Sequence, residues 1–176
     1  MVHTDAQRGK VLLREGIIFL ATFGVSGGVL YLLLRPVEII LQNLLSIHVQ
    51  YVLSLIGTRV IEQSSIQFWA ETHLIEISPL CAGLLEIILF ASAVLATRDV
   101  NMRKKMQGIV VGIIALYVFN VLRIVFTVQQ IVHTPFSFAE LTHDVLFRLI
   151  LLVGFAVMYW VWLKWATRSN ATSGLN

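Results

Sequence analysis

Long apolar runs bounded by charge dominate the chain. Gly16–Leu34 holds 19 residues without a charge, between Arg14-Glu15 and Arg35-Pro36. Leu80–Thr97 is a second run broken only by Glu86, Gly108–Val132 a third broken only by Arg123, and Val145–Leu163 a fourth broken only by Arg148. A helix that crosses a bilayer needs about 20 mostly apolar residues, so each run predicts one spanning helix. The fourth ends on Tyr159, Trp160 and Trp162, amphipathic rings that favour the membrane interface. The first does not read as a cleaved signal peptide, because Glu15 flanks it and Tyr31-Leu-Leu-Leu-Arg35 offers no small-residue cleavage site.

Ile39–Thr58 has a different pattern. It carries no charge, yet Gln42, Ser46, Gln50 and Ser54 recur every four residues, with Asn43 and His48 nearby. That periodicity predicts an amphipathic helix, which either crosses with its polar stripe toward a bundle or lies on the membrane surface. Between Ile66 and Ser78 apolar and polar residues partly alternate around Ala70-Glu71-Thr72, which predicts a short β-hairpin leading into the second span. The polar tail 169–176 reads as disordered, leaving one multi-pass domain over 1–168. The fold expected is an all-α integral membrane protein. It is a bundle of four transmembrane helices, or five if Ile39–Thr58 crosses, with an amphipathic helix and a β-hairpin on the outer face.

Composition narrows the reading and charge orients it. The 176 residues are 57% hydrophobic and 13% charged, with a mean hydropathy of +0.83, well away from the roughly 25% charged of a soluble domain. A net charge of only +3 gives nucleic acid no basic footprint. The cations instead cluster as Arg8, Lys10 and Arg14, then Arg98, Arg103, Lys104 and Lys105, then Lys164 and Arg168. The positive-inside rule sets all three groups in the cytoplasm, with Arg35 and Arg59 outside. That count requires that Ile39–Thr58 does not cross, so four spans are favoured, with 59–79 and 133–142 facing outward.

Few polar residues remain within the spans, and each has a bland alternative. Arg123 lies about 14 Å below the outer surface at 1.5 Å per residue. Placing it there costs at least about 2.5 kcal/mol, unless it snorkels or pairs with Glu86. Arg148 is shallower, and His143 with Asp144 opens the same helix, where Asp144 can simply complement the helix dipole. Cys81, the single cysteine, follows Pro79 at the start of the second span and forms no intrachain disulfide. A thiolate at a helix N-terminus near cations is stabilised by both. One cysteine and two deep arginines on three spans, all toward the outer half, therefore make a candidate nucleophile with electrostatic support. The five histidines have no metal-ligand spacing, so neither metal nor cofactor is expected. Gly24-xxx-Gly28 and Gly108-xxx-Gly112 read as helix-packing patterns, and Gln129 and Gln130 as helix-end amides.

These residues resemble a known set. Ile77-Ser-Pro-Leu-Cys81-Ala-Gly-Leu-Leu resembles the cysteine motif of the exosortase/archaeosortase family. Asn120-Val-Leu-Arg123 resembles its Asn-x-x-Arg motif, and His143-Asp-Val-Leu-Phe-Arg148 its third motif, which supplies a histidine or an arginine. Order, spacing and membrane context agree over roughly residues 47–165, in a chain that is compact for the family. The resemblance implies a prokaryotic membrane cysteine protease or transpeptidase of the cytoplasmic (inner) membrane, with its site toward the outer face. Its substrates would be exported surface proteins with a C-terminal sorting signal, and a lipid or glycan its acceptor. By the same resemblance Cys81 is the nucleophile, Arg123 stabilises the thiolate or oxyanion, and Arg148 or His143 is the third member, with Asn120 at the substrate. From another class, the chain reads as a small non-catalytic transporter or channel subunit in which Arg123 and Arg148 bind an anion.

Overall fold

The computed structural model describes residues 2–98, 100–133 and 147–172. Among them are the helices α1 (Val2–Leu34), α2 (Glu38–Leu55), α3 (Leu84–Ala96), α4 (Met102–His133) and α5 (Phe147–Thr172). A sheet of β1 (Val60–Glu62), β2 (Gln67–Ala70) and β3 (His73–Glu76) lies between α2 and α3. Gly9–Leu55 and Met102–His133 are each long and apolar enough to cross a membrane. The outward surface is apolar as well, with Leu12, Leu20 and Leu32 on α1 and Val111, Ile114 and Leu122 on α4 exposed. Apolar side chains in such numbers face lipid at no cost that water would impose.

Paired contacts set the directions of the helices. Glu15 with Arg98 and Gly27 with Ser92 make α1 antiparallel to α3. Gly112 against Phe90, and Lys105 bonded to the Leu95 carbonyl at 2.9 Å, make α3 antiparallel to α4. Gly108 against Trp162, and Lys104 bonded to the Ala166 carbonyl at 3.0 Å, make α4 antiparallel to α5. Along α2 the pairs His48–Tyr117 and Thr58–Gln129 advance together, so α2 runs in the same sense as α4, and hence as α1. Pro36 has no amide hydrogen and interrupts the ladder. The chain passes through a 3-10 turn at Arg35–Val37 and resumes its winding without doubling back on α1.

The polar stripe of α2 turns toward the protein. Gln42, Leu45, Ser46, Val49 and Leu53 are its buried face, while Ile39, Ile40, Leu44, Ile47, Tyr51 and Leu55 are exposed. A helix lying free on the surface would give its polar face to water; this one spends Gln42 on the Ile77 carbonyl at 3.0 Å and Gln50 on Ser46 at 2.9 Å. Phe68 and Ala70 of β2, together with Ile77, pack against Leu45, Val49 and Leu53 and against Val121, Ile124, Val125 and Val128 of α4 in one cluster. A second cluster joins Phe90 and Val94 of α3, Leu116 of α4 and Trp162 of α5.

The expected hairpin forms as β2–β3, pairing Ala70 with His73 across Glu71-Thr72. β1 adds a third strand that three residues were too short to announce. Glu71 has φ 54°, unusual without glycine, and is secured by accepting the Arg59 N–H at 2.8 Å on its carboxylate.

Three element boundaries differ from the sequence expectation. Regular helix in the second run starts only at Leu84, because Gly83 at φ 77° interrupts it. α4 starts six residues early and includes Arg103, Lys104 and Lys105. α5 continues to Thr172, past Ser169, where the tail was expected to lose structure. The start expected for the fourth span, Val145, lies outside the described residues.

Candidate active site

Cys81 lies on no α-helix. It ends a 3-10 turn, Pro79–Cys81, two residues ahead of the Gly83 N-cap of α3. The sequence expectation of a thiol at the first turn of a helix is corrected to that extent. Non-helical backbone within an apolar bundle needs partners for its polar groups, and the structure supplies them from three sides. Ile77 N–H donates to the Ile66 carbonyl at 3.0 Å, and its own carbonyl accepts from Gln42. Cys81 N–H donates to the Ser78 carbonyl at 2.9 Å. The Cys81 carbonyl accepts from Asn120 Nδ2 at 2.7 Å.

Glycine at position 83 follows from this. Its left-handed φ is costly for a residue with a Cβ, and a Cβ there would lie 2.9 Å from Asn120 Nδ2. The amide of Asn120 therefore rests on the backbone of the cysteine turn. Asn120 is 4% exposed, and its Oδ1 is buried with no hydrogen-bond partner among the described residues.

The Cys81 side chain is half-buried and packs at the edge of the cluster that holds Ile77, Ala82 and Val121. Ser78 Oγ donates to its sulfur at 3.3 Å. The sequence reading passed over Ser78; its signal was the Ser-Pro-x-Cys spacing, which lets one turn bring hydroxyl and thiol together. Arg123 follows Asn120 by three residues on α4, one turn further along nearly the same face. It is half-buried, and among the described residues its side chain has no ion pair or hydrogen bond. The alternative pairing with Glu86 does not form; the salt bridge among the described residues is Glu15–Arg98 at 2.8 Å. Gln129, one of the helix-end amides, donates to Thr58 at 2.6 Å and ties α4 to the end of α2.

Arg148 lies in the first turn of α5. The pairs Gly108–Trp162 and Lys104–Ala166 advance oppositely, one residue for one. His143 and Asp144 lie outside the described residues. The structure thus brings Cys81 and Asn120 into contact and sets Arg123 one turn beyond Asn120 on α4. A thiol on this turn and a cation one helical turn beyond Asn120 on α4 are groups that nucleophilic attack and oxyanion capture require.

The family model of the transmembrane exosortases (Exosortase_EpsH) matches residues 8–160. No curated protein and no solved structure matches the chain.

Proposed function

The chain belongs to the transmembrane exosortase family, and from that premise we propose that it is a membrane-embedded cysteine protease or transpeptidase. It acts on exported proteins that carry a C-terminal sorting signal. The observation that supports this most is the cysteine turn itself: Cys81 held by Asn120 and Ser78, with Arg123, which has no ion pair or hydrogen bond among the described residues, one turn beyond Asn120 on α4.

In this reading the Cys81 thiolate attacks the scissile carbonyl carbon, and the oxygen of that carbonyl becomes an oxyanion. Arg123 on α4 and Arg148 on α5 stabilise the thiolate before attack and the oxyanion after it. Collapse breaks the C–N bond, the leaving amine takes a proton, and an acyl thioester remains on Cys81. An acceptor hydroxyl or amine, or water, then attacks the thioester and releases the thiol. His143 is the alternative third member, as the base that takes the thiol proton and the acid that returns it to the amine. The chain is read as a multi-pass protein of the prokaryotic cytoplasmic membrane, with the sheet and Cys81 toward the outer face. A hydrophobic substrate tail would enter laterally between helices.

The test co-expresses the chain with tail-anchored candidate substrates and reads their C termini by mass spectrometry. Wild type shortens the substrate, Cys81→Ser leaves it intact, and Arg123→Gln slows cleavage by at least about a hundredfold, the scale of one lost oxyanion donor. Processing that survives Cys81→Ser sinks the thiol mechanism. Comparing Arg148→Gln with His143→Gln identifies the third member.

A further inference from the structure

We propose that Ser78 is the positioning residue of the nucleophile: its hydroxyl orients the Cys81 sulfur and stabilises it as a thiolate. The inference rests on the reading of Cys81 as the nucleophile.

Ser78 occupies the N-cap of the 3-10 turn, with φ −70° and ψ 160°, and Pro79 follows it at the first position of the turn. A serine at such a cap ordinarily accepts a backbone N–H on its side-chain oxygen. Here no side-chain cap bond forms. The backbone closes the turn by itself, with Cys81 N–H on the Ser78 carbonyl at 2.9 Å. That leaves the hydroxyl free to donate to Sγ at 3.3 Å.

Both ends of this bond are fixed in advance. Pro79 locks its own φ and confines the residue before it to extended backbone, the conformation Ser78 has. Asn120 holds the Cys81 carbonyl from α4, and Ile77, immediately before Ser78, is 1% exposed and bonded on both its N–H and its carbonyl. The sulfur lies against an apolar cluster, where an anion without a donor is costly. A hydroxyl donor to an anion is also stronger than one to a neutral acceptor. The bond therefore strengthens when the thiol loses its proton, and it keeps the sulfur in one rotamer for attack.

Cys81 is the chain's one cysteine, so alkylation of the purified full-length protein by iodoacetamide reports on this sulfur without any substrate. Ser78→Thr and Ser78→Val have nearly the same shape, and only the first retains a hydroxyl. Thr is expected to alkylate within about twofold of wild type. Val is expected to be slower by about three- to tenfold, the scale of one hydrogen bond, reduced because a less stabilised thiolate is the better nucleophile. In the processing assay Val lowers kcat and leaves KM in place. Equal rates for Thr and Val, whether both fast or both slow, overturn the proposal, because shape would then account for the effect. Failure of the protease reading shows separately, as substrate processing that persists in Cys81→Ser.

Discussion

The two packing clusters solve the same problem by different means. Around Phe90, Val94, Leu116 and Trp162, straight helices satisfy their own backbones and need only to fit each other. Gly108 makes room for the Trp162 indole and Gly112 for the Phe90 ring. Polar bonding in this half gathers at the charged end, where Lys105 meets the Leu95 carbonyl and Tyr159 donates to Thr97 at 2.8 Å. Around Ile77, Cys81 and Val121 the chain is irregular, and amide side chains from neighbouring helices take up its carbonyls. In an apolar medium an unpaired backbone group costs several kcal/mol. Irregular backbone is therefore confined to the places where Gln42 and Asn120 reach it. Shape holds the helical half together, and hydrogen bonds hold the half that carries the thiol.

Three substitutions, with Gly24→Ala as a control, test that contrast. Gly112→Ala should do the most damage, because a Cβ overlaps the Phe90 ring; overpacking of this kind costs about 3 kcal/mol. Thermal unfolding in detergent should show it, while Gly24→Ala, at a glycine with nothing within 4 Å, stays at the wild-type midpoint. Equal midpoints for the two would mean that close approach is not what holds the helical half. Gln42→Leu strands the buried Ile77 carbonyl, at about 1–2 kcal/mol. It should alter Cys81 alkylation more than it alters global unfolding; the reverse outcome would make α2 a general brace. Glu15→Gln removes the bridge to Arg98, whose side chains are 50% and 52% exposed. An exposed pair is worth under about 1 kcal/mol, so its midpoint should move least of the three.

The glycine patterns show where sequence reading held and where it stopped. Both spacings predict close packing, and Gly108-xxx-Gly112 does face two neighbours. In α1 it is instead Gly27 that packs, with its Cβ position 3.4 Å from Ser92 Oγ, whereas Gly24 and Gly28 face open space. The spacing is a property of one helix, and the side it turns inward depends on a partner from another part of the chain. The polar stripe of α2 was legible as a period of four, but its inward direction depends on Ile77, 35 residues away from Gln42.

By itself, the sequence determines the apolar runs, the three cationic clusters and the ordered set Cys81, Asn120-x-x-Arg123 and His143/Arg148, which together indicate a membrane protein of this family. These are short-range properties: hydropathy is additive along a segment, and a motif is a spacing. Only the tertiary structure decides that Cys81 stands on a turn ahead of its helix, that Asn120 rests on Gly83, and that Arg123 makes no pair with Glu86. It also decides that the Ser78 hydroxyl donates to the sulfur. The physical reason is that a partner for a buried donor or acceptor is chosen by proximity in space. Proximity between residues 42 and 77, or 81 and 120, is fixed only once the helices have packed.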